Sequence, residues 1–343
     1  MTSDTRSFDV DVLDAAYERL ARFDFEYGGG FSDHGPMAAE ALVRLGRADA
    51  VAPWVERHLR HLEPLRAPIE PITDWPATLG EGSRAADWLE LFSRELDEQP
   101  WAVVLGTWAP RLVPGVFAAA THGVIRTAQA VRAIAEIDTP ARRGELARGL
   151  AWWAASYREI SRPPRLSGTR DVASVLQELA ATATPVGRGM ITTAVARRVA
   201  ENDAFGAAVD SLVAPPRAYD GLLTLTAEAA QWYLRSASRY PIAYVHAVTG
   251  PAAARLLLPH LPPPALDAVF AYAWQVVAAM VATYGDAAEH PAEPLGSVEE
   301  IIDRAIASGD EHAIKMTEAC LREYRDNPDG RYLAAASDAA ARL

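Results

Sequence analysis

Apolar residues recur at spacings of three and four along almost the whole chain, the repeat of one face of an α-helix. In 9–22, DVDVLDAAYERLAR, Val10, Leu13, Ala16, Tyr17 and Leu20 share such a face. The pattern predicts further helices over 36–45, 49–62, 85–98, 115–136, 141–160, 171–181, 191–200, 203–213, 221–238, 241–249, 264–284, 297–307, 310–325 and 331–342. Alanine is abundant and alternating Val, Ile and Thr is scarce, which favours helix over strand. Proline- and glycine-rich breaks at 161–168, 214–218, 259–264 and 284–296 read as loops between helices. None is long or biased enough to be a domain linker, and no fixed-period repeat marks a solenoid. The expected fold is all-α, a single large multi-helix domain over 1–343, with two packed helical halves as the alternative.

Half of the 343 residues are hydrophobic, enough for a sizeable core. The net charge of −12 argues against nucleic acid or an anionic membrane as the main partner. A single cysteine excludes an internal disulfide and a cysteine-cluster metal site. The first twenty residues lack a basic segment followed by an apolar run, and no uninterrupted apolar run of about 18 residues suggests a membrane span. A soluble, cytoplasmic protein is the expectation.

Several segments carry candidate chemistry. Gly28-Gly29-Gly30 precedes a helix, yet no strand signal or dinucleotide spacing accompanies it, so it reads as a tight turn rather than a phosphate cradle. Cys320, between Ala319 and Leu321, reads as a buried small hydrophobe. His58 and His61 lie among charges, and His260 and His290 lie beside prolines; all four read as surface or loop histidines. His34, His122, His246 and His312 differ, because their neighbours are small or apolar. Such a histidine needs a hydrogen-bond partner or a ligand. Taken singly each is an ordinary core histidine; together, if they converge, they form a set of neutral imidazole ligands.

Lys315 is the only lysine among 33 basic residues. The plain reading is an i,i+4 pair with Glu311. The sharper one starts from chemistry that arginine lacks: a buried lysine loses its charge, and a guanidinium does not. Lys315 lies three residues after His312, on the same helix face. A neutral amine there can react with carbon dioxide to give an anionic carbamate, an oxygen ligand.

Four segments, FSDHGPMAAEALVRLG, PGVFAAATHGVIRTAQAVRAI, YPIAYVHAVTG and DEHAIKMTEAC, together resemble the questin oxidase-like family over about residues 28–324. The resemblance implies an oxygenase of aromatic polyketide-type small molecules, ending in C–C cleavage or oxygen insertion. It further implies Fe(II), held by His34, His122, His246, His312 and a carboxylated Lys315, with dioxygen as co-substrate and CO2 as the source of the carbamate. Other divalent transition metals suit the same donors. Two other readings stand beside it: an NADPH-dependent Baeyer–Villiger-type oxidase without structural metal, with NADPH as reductant, and a non-catalytic helical binding protein. Asp33, Gln129, Glu311 and Glu318 are candidate acceptors for the second ring nitrogens of the histidines. Trp75, Trp88, Trp101 and Tyr244 are candidates for an apolar substrate cleft, or else core packing.

Overall fold

The computed structural model describes residues 3–184, 186–187, 189–285 and 296–343. His290 and Arg188 lie outside them, and so does the side chain of Val10. Among the described residues the fold is all-α, as expected. The helices are α1 Ser3–Leu20, α2 Gly35–Arg44, α3 Ala48–His58, α4 Trp75–Thr78, α5 Ala85–Glu98, α6 Trp101–Leu112, α7 His122–Glu136, α8 Pro140–Ala155 and α9 Val172–Ala181. They continue as α10 Ile191–Ala200, α11 Phe205–Asp210, α12 Ala218–Ser236, α13 Pro241–Leu257, α14 Pro263–Tyr284, α15 Val298–Ser308, α16 Glu311–Asp326 and α17 Gly330–Arg342. One small hairpin joins β1, Glu26–Tyr27, to β2, Phe31–Ser32.

Local chemistry sets several boundaries. Ser297 and Glu300 form a reciprocal capping box at the start of α15, and Gly309, at φ +71°, ends it in the left-handed conformation. Asp310 then caps α16, its carboxylate accepting from the backbone N–H of His312 and Ala313. Gly28, Gly29 and Gly30 all take positive φ and turn the hairpin.

Three expectations about the helices are corrected. The helix predicted over 115–136 begins only at His122, because Ala119, Ala120 and Thr121 take φ of +46°, +56° and +76°. The helix predicted to stop at 249 runs on to Leu257 through Pro251. Burial against α7, α12, α14 and α16 outweighs the missing N–H there. Helix α6 was not predicted at all.

Helix α14 is the one described helix long and apolar enough to cross a membrane, and most of it is buried inside the fold. Four helices organise the centre. Helix α2 packs on α7, α7 on α13, α13 on α16, and α16 back on α2, closing a ring. Gly123 lets α7 approach α8 closely: a Cβ there would lie 2.8 Å from the Trp153 Cα.

Candidate metal centre

Each helix of that ring contributes one histidine to its centre. His34 is the N-cap of α2 and His122 the first residue of α7. His246 lies in the second turn of α13, and His312 in the first turn of α16. The rings meet in the same cyclic order as the helices. Centroids are 4.6 Å apart for His34 and His122, 4.5 Å for His122 and His246, 5.4 Å for His246 and His312, and 4.7 Å for His312 and His34. Residues spread over 278 positions of sequence thus form one closed square of imidazoles, with ligand atoms of His34, His122 and His312 all within 4.8 Å of one another.

The backbone before α7 shapes one corner. Its three left-handed residues turn the Ala119 carbonyl onto His122 Nδ1. A carbonyl only accepts, so Nδ1 carries the proton and the Nε2 lone pair points inward. There it meets His34 Nε2 at 2.8 Å. Left-handed backbone at non-glycine residues costs about 1–3 kcal/mol each, strain that accumulates at functional sites.

The electrostatics keep three of the rings neutral. Burial, with the neighbouring Lys315 charge, holds His34 and His122 well below the usual histidine range. His246 is lowered too, by burial first and then by His122 and His312. The Nδ1 atoms of His34 and His246 are buried with no hydrogen-bond partner. A neutral imidazole is the form that ligates a metal.

Lys315 lies one turn below His312 and is 3% exposed. Burial lowers its pKa to about 8, against the pull of Glu311 and Asp310. No ion pair within 4 Å joins it to Glu311, which nevertheless acts on its charge from one turn earlier in the helix.

A chain of buried charges runs beneath the site and fastens the same four helices. Arg132 on α7 bonds Glu40 on α2 and Glu318 on α16. Arg322 joins Glu318 to Glu323. Glu323 takes a two-pronged contact from Arg255 on α13, at 2.9 and 3.0 Å. Against burial, Arg132 and Arg322 hold Glu318 down at about 2.

Other expectations need revision. His58 is buried, stacks on Trp54 and bonds Asp33 Oδ1 at 2.9 Å, so it is no surface residue. His61 is exposed and His260 half-buried against Trp101. Cys320 is fully buried, its thiol pKa raised by burial. Of the four candidate acceptors, only Glu311 approaches the cluster. Asp33 serves His58 and the Gly35 N–H, Gln129 donates to the Met37 carbonyl, and Glu318 serves the arginines. The acceptor that sequence reasoning missed, the Ala119 carbonyl, is a backbone atom with no side-chain signal.

The four imidazoles open onto a cavity of about 1140 Å³. Its aromatic walls are Tyr27, Phe31, Trp152, Tyr157, Tyr240 and Tyr284. Trp75, Trp88, Trp101 and Tyr244 do not line it; Trp88 and Tyr244 are fully buried in the core. The glycine turn, seated between two strands, contributes Gly30 to the cavity wall.

No curated protein matches the chain. A sequence model of the questin oxidase-like family matches residues 49–320, which include His122, His246, His312 and Lys315 and leave His34 outside. The match spans well over half of the protein, and the helical fold agrees with it. The chain belongs to the questin oxidase-like family and is an oxidoreductase acting on a small molecule.

Proposed function

We propose that the protein is a metal-dependent oxygenase, with Fe(II) the expected ion, dioxygen a co-substrate and an aromatic polyketide-type molecule the substrate. The observation that carries this reading is the closed square of four imidazoles at the head of the cavity, one from each helix of the central ring.

The residues fit such an ion. Two ligand nitrogens about 2.0–2.1 Å from one ion and at right angles lie about 2.9 Å apart. His34 Nε2 and His122 Nε2 are separated by 2.8 Å. With no ion between them, the His122 lone pair obliges His34 to donate from Nε2, which leaves the buried His34 Nδ1 bare and without a partner. With both Nε2 lone pairs given to a cation, the His34 proton would sit on Nδ1.

His34, His122, His246 and His312 would hold the ion, with Lys315 as the fifth donor. The Lys315 amine, with a pKa near 8, is substantially neutral at mildly alkaline pH. It can add to CO2, forming an N–C bond and releasing one proton, to give the carbamate. Five monodentate donors leave one position of an octahedral ion open. When bound, Fe(II) supplies the redox chemistry needed to activate dioxygen. The protein's part is to bind and orient. Trp152, Tyr157, Tyr240 and Tyr284 offer faces against which a flat ring packs.

The test is metal analysis of protein purified with iron and without chelator. A stoichiometry near one supports the reading, and one near zero for every transition metal overturns it. Lys315→Arg is expected to lose metal and activity, since a guanidinium forms no carbamate. Full retention of both removes Lys315 from the site.

A further inference from the structure

We infer that Glu311 is a positioning residue that orients two of the four imidazoles at once, His34 and His312, by accepting from their Nδ1 atoms. This rests on the metal-centre reading above. Glu311 Oε1 lies 3.7 Å from His34 Nδ1 and 3.7 Å from His312 Nδ1. Among the described residues it has no arginine or lysine within 4 Å, although its charge does act on the Lys315 ammonium from farther off. It is not needed as a cap either, because Asp310 already accepts from the first free N–H groups of α16.

The case for His34 is the stronger. Its Nε2 is turned inward to His122, so Nδ1 is its outer nitrogen. That Nδ1 is buried and has no hydrogen-bond partner. Among the described residues, Glu311 is the only carboxylate within 4 Å of it. On His312, Asp310 Oδ1 stands 3.5 Å from Nδ1, so Glu311 shares that ring with a neighbour. His122 has its own acceptor in the Ala119 carbonyl. Glu311 is therefore the carboxylate placed to serve His34 while it also approaches His312, across two helices, α2 and α16.

A carboxylate behind an imidazole fixes its tautomer and ring angle and raises its basicity; losing such a partner lowers metal affinity by about 10–100-fold. At 3.7 Å from both Nδ1 atoms, the carboxylate stands just beyond hydrogen-bond range. Its place at the N-terminus of α16 favours its negative charge.

The experiment measures Co(II) affinity by competition with a chromophoric chelator, in wild type, Glu311→Gln and Glu311→Ala, and records the visible spectrum of each Co(II) form. The expected result is a 10–100-fold loss for Glu311→Ala, a smaller loss for Glu311→Gln, whose amide oxygen still accepts, and a shifted visible band in both. Wild-type affinity and an unchanged spectrum in Glu311→Ala overturn the inference while leaving the metal centre standing. If Glu311→Ala does not fold, the isosteric Glu311→Gln decides: wild-type affinity and spectrum there overturn it. Failure of the wild type to bind Co(II) overturns the metal-centre reading and this inference with it.

Discussion

Replacing Lys315 by methionine is predicted to stabilise the metal-free protein at neutral pH. Burial lowers the Lys315 pKa from 10.5 to about 8. At about 1.4 kcal/mol per unit, the buried ammonium destabilises the fold by about 3 kcal/mol wherever it is protonated in both states. The sign follows from proton counting. Below pH 8 the folded and unfolded chains both hold the proton and the penalty is complete. Between about 8 and 10.5 only the unfolded chain holds it, so the stability of the wild type rises with pH; above 10.5 the penalty is gone. Methionine has a similar shape and no charge. Its advantage should fall from about 3 kcal/mol at pH 7 toward zero near pH 10.5. Urea denaturation in EDTA and CO2-free buffer, at several pH values, reads this directly. A Lys315→Met variant less stable than wild type at pH 7, or a difference that does not change with pH, refutes the reasoning. Adding bicarbonate at pH 8 should then stabilise the wild type and leave the variant unchanged.

Arg132→Met should destabilise the protein by about 1.5–3 kcal/mol in urea denaturation, because Glu40 and Glu318 lose their shared cation and keep only Arg44 and Arg322. Acidification should unfold the metal-free protein early. His34, His122 and His246 all have folded pKa values well below 6.5, so below that pH the unfolded chain binds more protons. Stability should fall by up to about 4 kcal/mol per pH unit as pH drops below 6.5, for three such groups, measured by urea midpoints at pH 7 and 5.5. Substrate-dependent oxygen uptake should stop on strong chelation and return with Fe(II); uptake that survives chelation and requires NADPH supports the Baeyer–Villiger-type alternative.

Most of the helices were legible because their apolar stripes repeat. Helix α6, WAVVLGTWAPRL, was not, because it mixes exposed valine with buried tryptophan and carries a glycine and a proline. The unwound approach to α7 was hidden in AAATHG, which by propensity is good helix; only the tertiary position of His122 makes three left-handed residues worthwhile. The four histidines stood out against their small, apolar neighbours, a local signal. His58 did not, since its neighbours are charged and its partner Asp33 is 25 residues away. The Arg132 chain was equally invisible: Glu40 and Glu318 lie 92 and 186 residues from it, and each looks like ordinary surface charge. The cavity's aromatic wall, built from four separate stretches of sequence, is a property of the assembled fold alone.

The central claim is that His34, His122, His246, His312 and Lys315 enclose one metal ion. Anomalous diffraction at the iron edge, from crystals of protein expressed with iron, tests it most directly. The account predicts one strong peak inside the square of imidazoles, with electron density continuing from the Lys315 amine toward it. No peak there, with the four rings bonded only to water or to each other, would contradict it.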